Sequence, residues 1–182
     1  MYQNEKQLSS EQIFDGVVVK LYRDEVELDN GYKAQREYIR HPGGVCVAAV
    51  DENEDLYMVE QFRYPFGKAL TEVPAGKLEI GEDPKECGIR ELKEEVGAEA
   101  ESFEYLGCLY PTVAYDTEII HMFLARGLSF GEQHLDDGEF LDVKKVPLKE
   151  AYRMAMNNEL PDAKTQLAVI KAYLKLHGED IL

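Results

Sequence analysis

The stretch GKLEIGEDPKECGIRELKEEVGA, residues 76–98, limits what this chain can become more than any other. Asp83 followed by Pro84 is an N-cap and first-turn pair, and Gly97 is placed to stop what they start. The expected helix is Pro84 to Val96. At about 100° per residue, Ile89, Leu92 and Val96 fall together as a packing face, with Glu91, Glu94 and Glu95 nearly opposite and Arg90 at the edge of that cluster. Carboxylates at i, i+3 and i+4 repel one another, and in the C-terminal half of a helix the macrodipole disfavours them as well. A hard divalent cation removes both penalties, because Mg²⁺ and Mn²⁺ prefer oxygen ligands. The preceding PAGKLEIG has the small residues needed to bring a backbone carbonyl, such as that of Ala75, up to the same ion.

Charge narrows the partners. Acidic residues number 36 against 20 basic ones, a formal net charge of −16, so general attraction to nucleic acid or to anionic membrane surfaces is not expected. If the substrate is an anion, a bound cation must invert the local field. The opening MYQNEKQLSS carries no apolar signal region, and no run approaches the roughly 18 apolar residues of a membrane span. The reading is a soluble, cytoplasmic protein. Cys46, Cys87 and Cys108 lack metal-ligand spacing and read as small buried apolar residues.

Two strands joined by the turn DNG are expected within residues 11–41, then strands at Val45–Val50 and Leu56–Phe62 across DENED. FEYLGCLYP and EIIHMFLARG bracket the loop TVAYDT, and EFLDVKKVPL follows the acidic loop GEQHLDDG. The last third reads as helical, with Leu148, Ala151, Tyr152 and Ala155 on one face, then Ala163, Leu167, Ile170 and Leu174, and Gly178 as a stop. This pattern implies an α/β protein, a mixed sheet with helices packed around it.

Gly76, Glu82 and RELKEEVGA together resemble the signature of the Nudix hydrolases, which cleave a nucleoside diphosphate linked to a second moiety. Only Ala98 departs from it, where a larger aliphatic is usual. The flanks REYIRHPGGV, VEQFRYP, LTEVPAGKLE and DDGEFLDV are similar to the ADP-ribose pyrophosphatase branch, over roughly residues 10 to 160. Pro111 matches a proline of that branch, whereas TVAYDT stands where Pro-Gly is usual.

The resemblance implies an α/β/α sandwich over 43–182, preceded by a small β region at 1–42 that pairs two chains as a homodimer. It implies hydrolysis of ADP-ribose to AMP and ribose 5-phosphate with two or three Mg²⁺ ions, Mn²⁺ serving as a substitute. Glu91, Glu95 and the Ala75 carbonyl would be metal ligands, with Glu94 as third carboxylate. Arg90 would orient the glutamates and Glu82 would support the loop. Asp136, Asp137 and Glu139 are all chemically able to act as general base, and Glu139 matches the branch's GEF pattern. Arg36 and Arg63 are expected to grip phosphate, and Glu37 to accept from the adenine amino group. Without tryptophan, a tyrosine, phenylalanine or aliphatic pair must stack the base. His41, His121, His134 and His177 show no paired spacing and read as non-catalytic. The alternatives are another nucleoside diphosphate sugar, such as a GDP-mannose, as substrate, or a sensor that binds ADP-ribose without cleaving it. A sensor would be expected to have lost a metal carboxylate.

Overall fold

The protein, described here by a computed structural model over residues 4–178, divides into two compact units. One runs to Gly43 and includes Tyr110–Ile119; the other holds Gly44–Leu109 and Ile120 onward.

In the first unit, β1 (Glu5–Asp15), β2 (Lys20–Leu28) and β3 (Lys33–Ile39) form an antiparallel sheet in that order. The DNG turn forms as expected, with Gly31 at φ 78° and its N–H on the Leu28 carbonyl at 2.8 Å. β1 is the surprise. Its eleven residues are mostly polar and almost all exposed, and Leu8, Ile13 and Phe14 do not alternate, so no apolar pattern announces it; the ladder with β2 makes it a strand. Residues 110–119 join this sheet at Ile39, whose N–H meets Tyr115 O and whose carbonyl accepts from Thr117 N.

The second unit is built on β4 (Gly44–Val50), β5 (Asp55–Arg63), β6 (Lys68–Glu72), β7 (Ala75–Lys77), α1 (Pro84–Val96), β8 (Ala98–Leu109), β9 (Ile120–Phe130), β10 (Leu141–Pro147), α2 (Leu148–Met156) and α3 (Ala163–His177). Its sheet runs β10-β5-β4-β9-β8, with β4 and β9 parallel and the other pairs antiparallel. β4 and β5 pair only at Ala49–Tyr57 and Val50–Leu56 and then splay apart. β6 lines one side of the fork, on β5, and β7 the other, on β4. This fork carries the segment leading into the acidic helix.

Alternation along β4 sorts the core into two layers. Cys46, Ala48 and Val50 face Leu148, Ala151, Ala155, Ala168, Val169 and Ala172 of α2 and α3. Val47 and Ala49 face Leu92 and Val96 of α1. The result is the expected mixed sheet between helices. Three details differ from the sequence reading. Ile89 is exposed and the buried stripe of α1 is Cys87, Gly88, Leu92, Glu95 and Val96, because Gly88 lets the helix settle onto Phe103. On α3 the buried residues are Thr165, Ala168, Val169 and Ala172, while Ala163 and Leu174 are exposed. Small side chains at that face allow close packing, and the larger apolar ones flank it. Cys108 is exposed, unlike Cys46 and Cys87. Among the described residues, no helix is long and apolar enough to cross a membrane.

Candidate active site

Both ends of α1 are pinned locally. Asp83 Oδ1 accepts from Lys85 N at 2.9 Å and Glu86 N at 3.3 Å, and Gly97 at φ 70° returns its N–H to Lys93 O. The helix then presses directly on β7. A Cβ on Gly76 would lie 1.9 Å from the Glu91 carboxylate, so only glycine leaves room for that side chain. One turn on, Glu95 Oε2 accepts from Ala75 N at 3.0 Å.

Arg90 ties the carboxylates together. Its Nη1 donates to Glu91 Oε1 at 2.7 Å and Glu94 Oε2 at 2.8 Å, while Nε and Nη2 reach the two oxygens of Glu82 at 3.0 and 3.2 Å. Glu82 Oε2 also accepts from Glu79 N at 2.8 Å, which closes the loop onto the helix. The Arg90 hydrogen bonds hold the Glu82 carboxyl down at about 2. Glu95 behaves oppositely. It is 4% exposed, and burial pushes its carboxyl up to about 8. Burial also raises Glu91, and the charge of Glu139 adds to the shift of both.

Glu139 lies on the stretch between β9 and β10, which is docked on the end of α1. Gly131 N meets Gly97 O at 2.7 Å, His134 N meets Glu94 O at 3.0 Å, and the Gln133 side-chain amide donates to Glu95 O. The Glu139 carboxylate accepts from Gln61 Nε2 at 3.1 Å and from Asp136 N at 3.4 Å. Asp136, Asp137 and Glu139 line one open cleft of about 500 Å³ with Gln61, Phe62 and Phe140. The aspartates are exposed and Glu139 is half-buried.

The tertiary structure therefore gathers Ala75, Glu82, Arg90, Glu91, Glu94, Glu95 and Glu139. Arg63 is close enough for its charge to act on Glu95, but its Nε and Nη2 are committed to the buried Glu72 at 2.6 and 2.8 Å. Lys164 shares the Glu72 Oε2 with Arg63 Nη2. Arg36 and Glu37 belong to the first unit, where Arg36 pairs with Glu5 and Glu37 with Arg23. Sequence reasoning passed over Gln61, Glu72, Gln133 and Lys164. Only Gln61 carried a readable signal, a lone amide continuing the row of Tyr57 and Val59.

Among the described residues no three His, Cys, Asp or Glu side chains already converge as a ligand cage; Arg90 gathers the oxygens instead. The donor set nevertheless fits a hard divalent cation. It is all oxygen, and the buried Glu95 has a carboxyl that stays protonated to about 8 unless positive charge is supplied.

A family model described as the NUDIX domain matches residues 40–168, a span that includes α1, the fork before it and the Glu139 loop. The chain belongs to the NUDIX family. An ADP-ribose pyrophosphatase of Bacillus subtilis is 42% identical to this NUDIX protein over 174 residues, 94% of this chain and 93% of that one. A methanol dehydrogenase activator of Bacillus methanolicus is 45% identical with the same coverage. A GDP-mannose pyrophosphatase of Yersinia enterocolitica is 31% identical over 82% of this chain and 83% of that one. The crystal structure of an ADP compounds hydrolase superposes with a TM-score of 0.77 at 22% identity and covers 97% of each chain, which establishes the NUDIX fold.

Proposed function

We propose that this NUDIX protein hydrolyses the pyrophosphate of ADP-ribose to AMP and ribose 5-phosphate. The observation that carries the reading is Glu139, whose charge falls on the buried Glu91 and Glu95 of the acidic helix. A carboxylate able to act as base thus stands within electrostatic reach of the pair that would hold a cation. The 42% identity with an ADP-ribose pyrophosphatase over nearly the whole chain supports the choice of substrate.

Glu91, Glu95 and the Ala75 carbonyl, with Glu94 as third carboxylate, would hold a divalent cation, Mg²⁺ with Mn²⁺ as a substitute, which would supply positive charge and Lewis acidity for the phosphates. Glu139 takes a proton from the attacking water as its oxygen bonds to phosphorus and the bridging P–O bond breaks. Arg90 orients Glu91 and Glu94, and Glu82 fixes Arg90. Arg63, kept charged and in place by Glu72, is the anion contact of this unit. Arg36 and Glu37 contact substrate across a homodimer formed through the N-terminal sheet, in the cytoplasm. No nucleic acid or membrane takes part.

A panel of ADP-ribose, other ADP-sugars and GDP-mannose, assayed with Mg²⁺ for released phosphomonoester, tests the reading. The expected outcome is the highest kcat/KM on ADP-ribose. A preference for GDP-mannose would move the assignment to another nucleoside diphosphate sugar, and tight ADP-ribose binding without turnover would make the protein a sensor.

A further inference from the structure

Glu139 sits on a stretch, 131–140, that has no helix or strand, two residues before β10 begins at Leu141. Its charge reaches the buried Glu91 and Glu95 of α1. A carboxylate on an irregular loop has no backbone ladder to fix its direction, and its charge is better solvated in open water than in a half-buried position. Something must hold it inward if the loop is to deliver a base.

Gln61 does so from a rigid strand. It lies on β5 directly opposite Leu141 of β10 and Leu70 of β6, on the face where Val59 and Leu141 pack against Leu92 and Val96 of α1. Tyr57 and Val59 lead the row apolar, and an apolar residue at 61 would continue it. Instead the row ends in an amide whose Nε2 donates to Glu139 Oε1 at 3.1 Å. A neutral amide suits the position. A lysine or arginine there would form an ion pair and draw the carboxylate off as a salt bridge, whereas an amide donor orients it without cancelling its charge. The second donor, Asp136 N at 3.4 Å, belongs to the same loop and moves with it, so Gln61 is the tie to the sheet.

We infer that Gln61 is a positioning residue for Glu139, holding the carboxylate toward the glutamates of the acidic helix. The inference rests on Glu139 acting as the base, so its test separates the two. ADP-ribose turnover at saturating Mg²⁺ is compared for the wild type, Gln61→Met, Glu139→Gln and the double variant, with thermal melting as the check on folding. Gln61→Met keeps the length of the side chain and loses the donor. Displacing a reacting group by about 1 Å costs up to roughly 100-fold, so a fall in kcat of about 10- to 100-fold is expected with KM changed by less than about threefold. In the Glu139→Gln background the same substitution should cause no further loss. If Gln61→Met slows both backgrounds equally, or leaves kcat at the wild-type value while Glu139→Gln is slow, the positioning role is overturned and the base assignment stands. If Glu139→Gln itself turns over like wild type, the base assignment fails first. Should Gln61→Met melt early, the exchanged pair Gln61→Glu with Glu139→Gln serves instead. It keeps one amide facing one carboxylate, and hydrogen exchange at residues 136–140 should return to wild-type protection while turnover stays low. Protection unchanged in Gln61→Glu alone would show that the loop does not depend on this contact.

Discussion

The carboxylate of Glu91 occupies the space that a Cβ on Gly76 would need, 1.9 Å away. The close approach of α1 to β7 and the placement of a candidate metal ligand are thus one feature. Gly76→Ala has no remedy in a rotamer change of alanine, so either Glu91 or the strand must move. We expect a kcat loss of about 10²-fold or more, because the displaced group is a charge-bearing part of the site. Turnover assays on a variant shown to be folded by circular dichroism check this, and near wild-type rates would show that Glu91 is not needed where it stands.

Glu95→Gln separates stability from activity. The buried carboxyl, pushed up to about 8, makes ionisation near neutral pH unfavourable in metal-free protein. The neutral isostere should therefore melt higher than wild type in chelator at pH 8, and should lose about 10²-fold or more in kcat with Mg²⁺. A variant with ordinary turnover would remove Glu95 from the metal site.

Glu139 and its neighbours can be ranked by substitution. Glu139→Gln should depress kcat while Mg²⁺ activation keeps the same midpoint, because the role proposed for it is on water and not on the cation. A large loss in Asp136→Asn or Asp137→Asn with none at Glu139 would transfer the role.

Acid stability should report the Glu82–Arg90 contact. The folded carboxyl is held at about 2 against an ordinary 4.5, so the native state binds fewer protons than the unfolded chain between those values. Its contribution is complete above about 4.5 and is lost as pH falls toward 2. Part of the pair is solvent-screened, so Glu82→Gln should lower stability by on the order of 1 kcal/mol at pH 6 and much less near pH 2. Urea melts at the two pH values measure this, and an equal loss at both would mean the charge of Glu82 is not what matters.

The exposed three-stranded sheet leads to a prediction about assembly. Of its strand residues, only Asp24 and Val26 are buried, too little to hold such a sheet by itself. Arg36 and Glu37 lie on it, and in the proposed homodimer they serve the partner's site. Mixing Arg36→Ala with Glu95→Gln chains after subunit exchange should restore activity, since one site of the mixed dimer carries neither lesion. A species of single-chain mass in sedimentation at working concentration would refute the dimer, and a dimer without complementation would refute the shared site.

The acidic helix was legible in the sequence because its limits are local. Asp83 caps N–H groups two and three residues ahead, and Gly97 answers a carbonyl four residues back, so composition and spacing suffice. Gly76, Glu82, Arg90, Glu91, Glu94 and Glu95 stand within 20 residues of one another, and their grouping follows from helix geometry and one short loop. The apolar strands β4, β5 and β9 announced themselves by their composition, whereas β1 and the fork strands β6 and β7 did not.

What lay out of reach was everything set by long-range pairing. Glu95 belongs by periodicity to a charged face, yet it is buried, because the splayed ends of β4 and β5 admit β7 beneath that side of the helix. The Arg63 guanidinium looks free in sequence and is held by Glu72 and, through it, by Lys164, 92 positions beyond Glu72. Gln61 and Glu139 are 78 residues apart and meet only because β10 returns alongside β5. Caps and helical spacing act over one or two turns of chain, and a sequence displays them directly. The burial of a charge, the donor that steadies a loop and the neighbour that occupies an arginine depend on how strands are ordered in the sheet, which the folded chain settles as a whole.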